Sequence, residues 1–234
     1  MRAYLINLDE RPDRLKNAKR QFELIGLDFE RIPAIKPDEN FSELYPFVTP
    51  GVAAIWLSHM YCIEKFLTSG EDFALIFEDD FLFTEKSLSE NFLKILPQEY
   101  DFFQIGFLKT NIIDKTDLLI ANTLDLYLKI LAFISKVPSK GLQELQSRFL
   151  ISDQLDTPWN HVRHDVRPGA HAYLVSREFA SHLVEFNNPL LFSADAFYIS
   201  LAKMRSFRMA RFRKSQIDQD GSESSVEARF RTQS

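Results

Sequence analysis

Glycine is scarce in this sequence, with 7 among 234 residues, and neither G-x-G-x-x-G nor G-x-x-x-x-G-K-[ST] occurs. These two motifs form the glycine-rich loops that most often hold nucleotide phosphates, so a bound phosphate would need other partners. A single cysteine, Cys62, excludes an internal disulfide and a cysteine-based zinc cluster. The formal net charge of −5 provides no overall basic surface for nucleic acid.

Length and composition predict one globular domain that spans residues 1–234. Hydrophobic residues make up 45% of the chain and charged residues 26%, which is an ordinary balance for a chain that buries one core. The first apolar stretch, residues 3–8, is too short for the hydrophobic region of a signal peptide. Together with the lone cysteine, this predicts a cytoplasmic protein.

The N-terminal pattern predicts a strand, a helix and a second strand. Residues 2–8 are apolar strand formers, and residues 29–35 form a similar run. Between them, apolar residues recur at helical spacing up to Gly26, and Asp9 is a candidate helix cap ahead of Pro12. Such a unit favours a parallel sheet with helices on its faces.

The remaining pattern extends this α/β fold: a mainly parallel central sheet flanked by helices, with a helical insertion around residues 110–165. Residues 36–50 carry three prolines and predict a loop. Further strands are predicted at 73–77, 102–106, 169–176 and 207–212, and helices at 51–67, 118–134 and 177–186.

Three acids, Glu78, Asp79 and Asp80, directly follow the apolar strand 73–77. Ligands of open α/β sheets bind at the carboxyl ends of strands. On an extended segment Glu78 and Asp80 point the same way and Asp79 points elsewhere. We therefore expect Glu78 and Asp80 to bind Mn²⁺ or Mg²⁺, which prefer oxygen ligands. The alternative is a solvated run of charge.

Several segments, in order, resemble glycosyltransferase family 25, the bacterial lipooligosaccharide galactosyltransferase group. Residues 107–168 have no clear counterpart in that family, and the cysteine that often precedes its Leu-Ser-His motif is absent here. The matching segments are Tyr4 to Arg14, Phe29 to Ala34, Leu57-Ser58-His59, Glu64 to Leu67, Ser69 to Asp72, Ile76 to Asp80, Gly169 to Ser176, Asp195, and Gln216 to Val226.

The resemblance implies a GT-A-like fold and an inverting transfer of a hexose, commonly galactose from UDP-galactose. The acceptor would be a lipopolysaccharide, a lipooligosaccharide or another glycan, free or lipid-linked. Such a reaction needs a general base and stabilisation of the departing diphosphate. Asp195 is the first candidate for the base by its position in the resemblance, and Glu78 or Asp79 is the competitor.

Residues of the matching segments are also candidates for donor binding, each with a structural alternative. Asp9 could cap the helix, His59 could be a hydrogen-bonded core residue, and His171 and Tyr173 could form a packed aromatic pair on one strand face. The candidates are Asn7, Leu8, Asp9, Arg11, Arg14, Ser58, His59, Asp79, His171, Tyr173 and Gln216.

Basic residues concentrate between Arg205 and Lys214, and residues 110–165 include an apolar helical stretch. The basic stretch suggests contact with a donor diphosphate, with an anionic lipid-linked acceptor or with the inner membrane surface, or else a solvated strand face. The apolar stretch suggests an oligomer or partner surface.

Two other function classes remain open on the residues alone. A catalytically silent relative that acts as a binding module would also carry residues 107–168. A metal-dependent phosphohydrolase would carry an acidic cluster after a strand, although nothing beyond Glu78-Asp79-Asp80 favours it.

Overall fold

The structure is a computed structural model. The predicted helix 118–134, Arg205, the tail after Gly221 and nearly all of the predicted insertion 110–165 lie outside the described residues. The described residues are 1–89, 92–108, 161–186, 190, 193–204 and 207–219.

Nine strands and six α-helices are assigned within the described residues, with a 3-10 turn at Phe92–Ile95. The strands are β1 Arg2–Asn7, β2 Phe29–Pro33, β3 Phe73–Glu78, β4 Phe81–Phe83, β5 Phe102–Gly106, β6 His161–Arg163, β7 Ala172–Ser176, β8 Met209–Phe212 and β9 Ile217–Gln219. The helices are α1 Pro12–Ile25, α2 Phe41–Leu44, α3 Pro50–Thr68, α4 Glu85–Ser89, α5 Arg177–Phe186 and α6 Ala194–Met204.

The strands form one sheet in the order β2-β1-β3-β7-β5-β8-β6. Strands β2, β1, β3, β5 and β8 run in one direction, whereas β7 and β6 run in the opposite direction. The predicted α/β class with a mainly parallel central sheet is confirmed. The short strand β9 pairs with β4 and with the end of β5.

The N-terminal strand–helix–strand unit is confirmed, with one correction at its helix. Pro12 opens α1, and Gly26 ends it in the left-handed conformation at φ 63°, which glycine adopts without steric cost. The predicted cap, Asp9, is wrong: the residue before the helix is Arg11, without a side-chain cap bond. Asp9 instead pairs with Arg31.

Both faces of the sheet are covered, which explains why the strand sequences are continuously apolar. Leu5 and Phe77 face α1, where Phe22 meets Phe77 edge-on at 5.0 Å. Tyr4 and its same-face neighbours pack instead against α3, α5 and α6. The two packed layers fix the strand ends, and the polar side chains at those ends are held in place as a result.

None of the helices in the described ranges is both long enough and apolar enough to cross a membrane.

Candidate metal and donor site

The acidic residues lie at a turn between two strands. β3 ends at Glu78, Asp79 and Asp80 form the turn, and β4 begins at Phe81. Since β1 and β3 are parallel, with Ile6 opposite Glu78, the residues that follow both strands meet at one edge of the sheet. This is the ligand-binding edge of α/β folds.

Glu78 and Asp80 converge with His171, as three side chains whose ligand atoms all lie within 4.8 Å of one another. His171 immediately precedes β7, which runs antiparallel to β3 with Phe77 opposite Ala172. The start of β7 therefore lies beside the end of β3. We call Glu78, Asp80 and His171 the metal triad; the sequence had suggested only its two acids as ligands.

The triad fits a divalent cation. The Oδ1 atom of Asp80 is buried without a hydrogen-bond partner, and an unsatisfied buried acceptor is destabilising by about 1–3 kcal/mol. Two carboxylates and an imidazole can ligate Mn²⁺ or Mg²⁺. A bound cation would remove part of this penalty.

Gln219 lies beside the triad, in contact with Asp80 and His171. It was not among the predicted site residues. Its Nε2 atom donates to Asp80 Oδ2 at 3.2 Å and lies 3.1 Å from His171 Nδ1. The pairing of β4 with β9 places Gln219 opposite Phe81. Its position within the resembling segment Gln216 to Val226 was the only sequence signal for it.

Asp79 points away from the triad, as expected, and both of its oxygens are engaged. Asn7 donates to Asp79 Oδ2 at 2.7 Å, and Arg14 donates to Oδ1 at 2.9 Å. The Asn7 amide is itself oriented, because Arg31 donates to its oxygen at 2.9 Å. Asp79 thus anchors the turn, which leaves its carboxylate little freedom for the predicted catalytic role.

His59 and Tyr173 form a second buried support, behind Glu78. His59 Nε2 lies 3.2 Å from Glu78 Oε1, and its Nδ1 lies 2.8 Å from the Tyr173 hydroxyl. An ionised carboxylate only accepts, so Nε2 carries the proton, and in a neutral ring Nδ1 accepts from Tyr173. Tyr173 is fully buried, which corrects its predicted contact with the donor.

The charges within the triad are unequal. Burial alone would raise the pKa of Glu78, but hydrogen bonds to His171 and His59 hold that pKa well below its usual range. Burial, with the nearby charge of Glu78, raises the pKa of Asp80 to about 6. Burial would lower the pKa of His171, yet its hydrogen bond to Glu78 raises it. Glu78 is therefore the firmly ionised member.

Asp195, the predicted base, lies in the first turn of α6, close to the triad. Its Oδ2 accepts from the Gly169 backbone N–H at 2.8 Å. Burial, aided by the charge of Glu78, raises the pKa of Asp195 to about 6. A carboxylate with this pKa is a stronger base than an ordinary aspartate and is still mostly ionised near neutral pH.

A cleft beside the triad is lined by the ends of β1, β2 and β3 and by α3. Several donor-binding candidates line it, although the Ser58 hydroxyl is committed to the Ile35 N–H at 2.8 Å and the Ala54 carbonyl at 2.7 Å. The candidates at the cleft are Leu8, Arg14, Ser58, His59 and Asp79.

Three other candidates have partners outside this cleft. Asp9 pairs with Arg31, Arg11 pairs with Asp13 at 2.8 Å, and the Gln216 side chain donates to the Lys214 carbonyl at 3.0 Å.

The cations of the basic stretch at 207–214 are not used alike. Arg208 is paired with Asp101 at 2.6 Å but is largely exposed, and Arg211 is buried and paired with Asp165. Arg211 also donates to the carbonyl of Phe212. Arg211 is therefore part of the fold and is not available to a diphosphate or a lipid, whereas Arg213 and Lys214 are exposed.

Comparison with known proteins identifies the family. The profile of glycosyltransferase family 25 (LPS biosynthesis protein) matches residues 1–198, so the chain belongs to this family. A "Glycosyltransferase 25 family member" of Aedes aegypti is 30% identical over the matched stretch, which covers 34% of this chain and only 16% of that relative.

Among solved structures, a glycosyltransferase involved in the glycosylation of the major capsid of PBCV-1 is similar at a TM-score of 0.48. The sequence identity is 4%, and the alignment covers 100% of this chain and 99% of the other.

Proposed function

We propose that this chain is a metal-dependent glycosyltransferase that transfers a hexose, galactose in the first instance, from a UDP-sugar to a glycan acceptor with inversion. The observation that carries the proposal is the metal triad, with its unpartnered Asp80 Oδ1 atom at the ligand-binding edge of the sheet. Membership of glycosyltransferase family 25 supports the reaction class.

Glu78, Asp80 and His171 would hold Mn²⁺ or Mg²⁺. When bound, the cation would neutralise charge on the nucleoside diphosphate leaving group. Arg14 adds a buried positive charge on the same side, 3.9 Å from Asp80 Oδ2. The cleft between β1, β2 and α3 supplies an adjoining space for the nucleoside.

Asp195 would accept the proton of the acceptor hydroxyl. Its pKa of about 6 leaves the carboxylate ionised at neutral pH, and the hydrogen bond from the Gly169 N–H holds one of its oxygens in place. Inversion needs only this one base and no covalent sugar–enzyme intermediate. Asp79, with both oxygens engaged by Asn7 and Arg14, is the weaker candidate.

A donor panel tests the proposal. The purified chain is mixed with individual nucleotide sugars and Mn²⁺, and both thermal shift and release of nucleoside diphosphate are measured. One donor should stabilise the protein by mass action, and turnover should disappear with a chelator. The absence of both binding and turnover with every donor would rule the proposal out.

Binding without turnover, together with a biological role that survives Asp80→Ala, would point instead to a silent relative that acts as a binding module. Free phosphate without sugar transfer would point to a phosphohydrolase.

A further inference from the structure

Gln104 is the one polar residue of β5 and is buried at 1% exposure. Its side-chain amide makes three hydrogen bonds to the backbone of the 167–169 loop. Nε2 donates to the carbonyls of Arg167 and Gly169, both at 2.8 Å. Oε1 accepts from the Arg167 N–H, also at 2.8 Å. A side-chain amide can form four hydrogen bonds, two as donor and two as acceptor, and Gln104 forms three of them with this one loop.

An irregularity in the sheet directs Gln104 to this loop. In the pairing of β5 with β7, Gln104 lies opposite Tyr173 and Gly106 lies opposite Ala172, so one extra residue is inserted between them. Such bulges bend a strand and re-aim its side chains, and they are frequent next to active sites.

The 167–169 loop contacts both the proposed base, Asp195, and one member of the metal triad, His171. The Gly169 N–H donates to Asp195 at 2.8 Å. Gly169 has φ +93°, and a Cβ atom there would lie 2.5 Å from Nε2 of His171. No side chain other than hydrogen fits against this imidazole. One backbone residue thus holds the proposed base and packs against the third member of the metal triad.

We propose that Gln104 is a positioning residue that clamps the 167–169 loop and thereby sets the placement of His171 relative to Asp195. The effect of Gln104 on catalysis rests on the proposed function, because that function assigns roles to His171 and Asp195. The clamp itself is a property of the fold and can be tested without metal or donor.

The first test measures amide hydrogen exchange in metal-free protein. Gln104→Met keeps the side-chain length and removes all three bonds. We expect the Gly169 amide to exchange about tenfold faster, which is the effect of losing one typical hydrogen bond. The control is Ser200→Ala, which removes a buried bond to the Ala196 carbonyl on α6 and should leave Gly169 unchanged. Unchanged exchange at Gly169 in Gln104→Met would overturn the clamp.

The second test measures the affinity for Mn²⁺ alone. Loss of a hydrogen-bond partner of a metal ligand typically weakens a metal site by roughly 10–100-fold. Gln104 acts one step further out, through Gly169, so we expect about a tenfold loss for Gln104→Met, at the lower end of that range, with no comparable change for Ser200→Ala. If the wild type binds Mn²⁺ and Gln104→Met binds it equally well, the positioning role is wrong. If the wild type binds no Mn²⁺, the proposed function fails, and hydrogen exchange alone still decides whether the clamp exists.

Gln104→Glu changes the clamp in a second way. It keeps the acceptor for the Arg167 N–H, but it places a carboxylate oxygen against the carbonyls of Arg167 and Gly169, which both accept from Nε2 in the wild type. A buried carboxylate that faces two carbonyl oxygens is destabilised, so we expect changes in both measurements at least as large as those of Gln104→Met. Unchanged exchange of the β1 amides in each variant would show that the fold is kept, and the absence of any change at Gly169 would contradict the clamp.

Discussion

The acidic turn and the basic stretch are both local concentrations of charge in the sequence, yet the two are used in different ways in the fold. In the basic stretch, Arg208 and Arg211 are each paired with an aspartate from another part of the chain. At the acidic turn Asp79 is paired with Arg14 and Glu78 is hydrogen-bonded to His59 and His171, but Asp80 retains a buried oxygen without a partner.

This difference separates a structural use of charge from a functional one. A charge that is neutralised inside the fold contributes stability and is not available to a ligand. A buried carboxylate oxygen left without a partner, as Asp80 Oδ1 is, reduces stability, and a ligand can recover that loss. The two regions should therefore respond to substitution in different ways.

The largest effect is expected for Asp80→Asn. The substitution keeps the side-chain volume and removes a charged member of the metal triad, so Mn²⁺ affinity should fall by more than the roughly 10–100-fold typical of an outer-shell partner. Titration calorimetry and a transfer assay measure the change. The exposed Asp13→Asn, which removes the charge that pairs with Arg11, is the control. Undiminished Mn²⁺ affinity in Asp80→Asn would exclude the triad as the metal site.

Arg211→Met tests the opposite region and should affect stability instead. Arg211 is buried, and its loss removes the pair with Asp165 and the bond to the Phe212 carbonyl. The free energy of unfolding should fall by about 2–3 kcal/mol, as measured by urea denaturation. The Mn²⁺ affinity of the folded protein should not change. A marked loss of Mn²⁺ affinity would show that the basic stretch contributes to the metal and donor site.

Asp195→Asn should reveal the cost of its buried charge through the pH dependence of stability. The pKa of Asp195 is raised from 3.8 to about 6 in the folded protein, so the folded state binds this proton more tightly than the unfolded state. The wild type therefore loses stability from this group as the pH rises from about 4 to 6.

Asparagine does not titrate, so the variant should be more stable than the wild type by about 3 kcal/mol at pH near 8, and the advantage should vanish near pH 4. Denaturation at both pH values measures this. A variant that is less stable at high pH would show that the Asp195 charge is well solvated or paired. Transfer activity should be lost in the same variant, because the proposed base is removed.

The smallest effect is expected for the double substitution Arg213→Gln and Lys214→Gln. Both residues are exposed, and surface changes of this kind usually alter stability by less than about 0.5 kcal/mol. Donor KM and binding to anionic vesicles should match those of the wild type. A clear loss of vesicle binding would support the membrane contact suggested by the sequence.

The strand and helix pattern could be predicted closely where both faces are buried. The helix 177–186 was predicted with its observed bounds, Arg177–Phe186, and the strand 73–77 was extended by only Glu78. The short elements α2, α4, β4, β6 and β9 were missed, and so was the longer helix α6, Ala194–Met204. Elements of three to five residues are too short to show a period, and β4 and β9 exist because they pair with each other.

The site could be predicted only where its residues are close in sequence. Glu78 and Asp80 share one turn, and their separation from Asp79 follows from local geometry. His171 was assigned to the donor because nothing in the sequence shows that β7 runs beside β3. Gln104 and Gln219 gave no chemical signal, since an isolated glutamine has no motif.

The sequence by itself determined the α/β class, the presence of three consecutive acids directly after a buried strand, and the resemblance to glycosyltransferase family 25. These features depend on local spacing and on the order of segments along the chain. Tertiary structure decided which charges are satisfied: it paired Arg208 and Arg211 with Asp101 and Asp165, and it brought His171 to Glu78 and Asp80. Pairing depends on distances between segments that are far apart in sequence, and those distances are fixed only when the sheet and its two packed layers form.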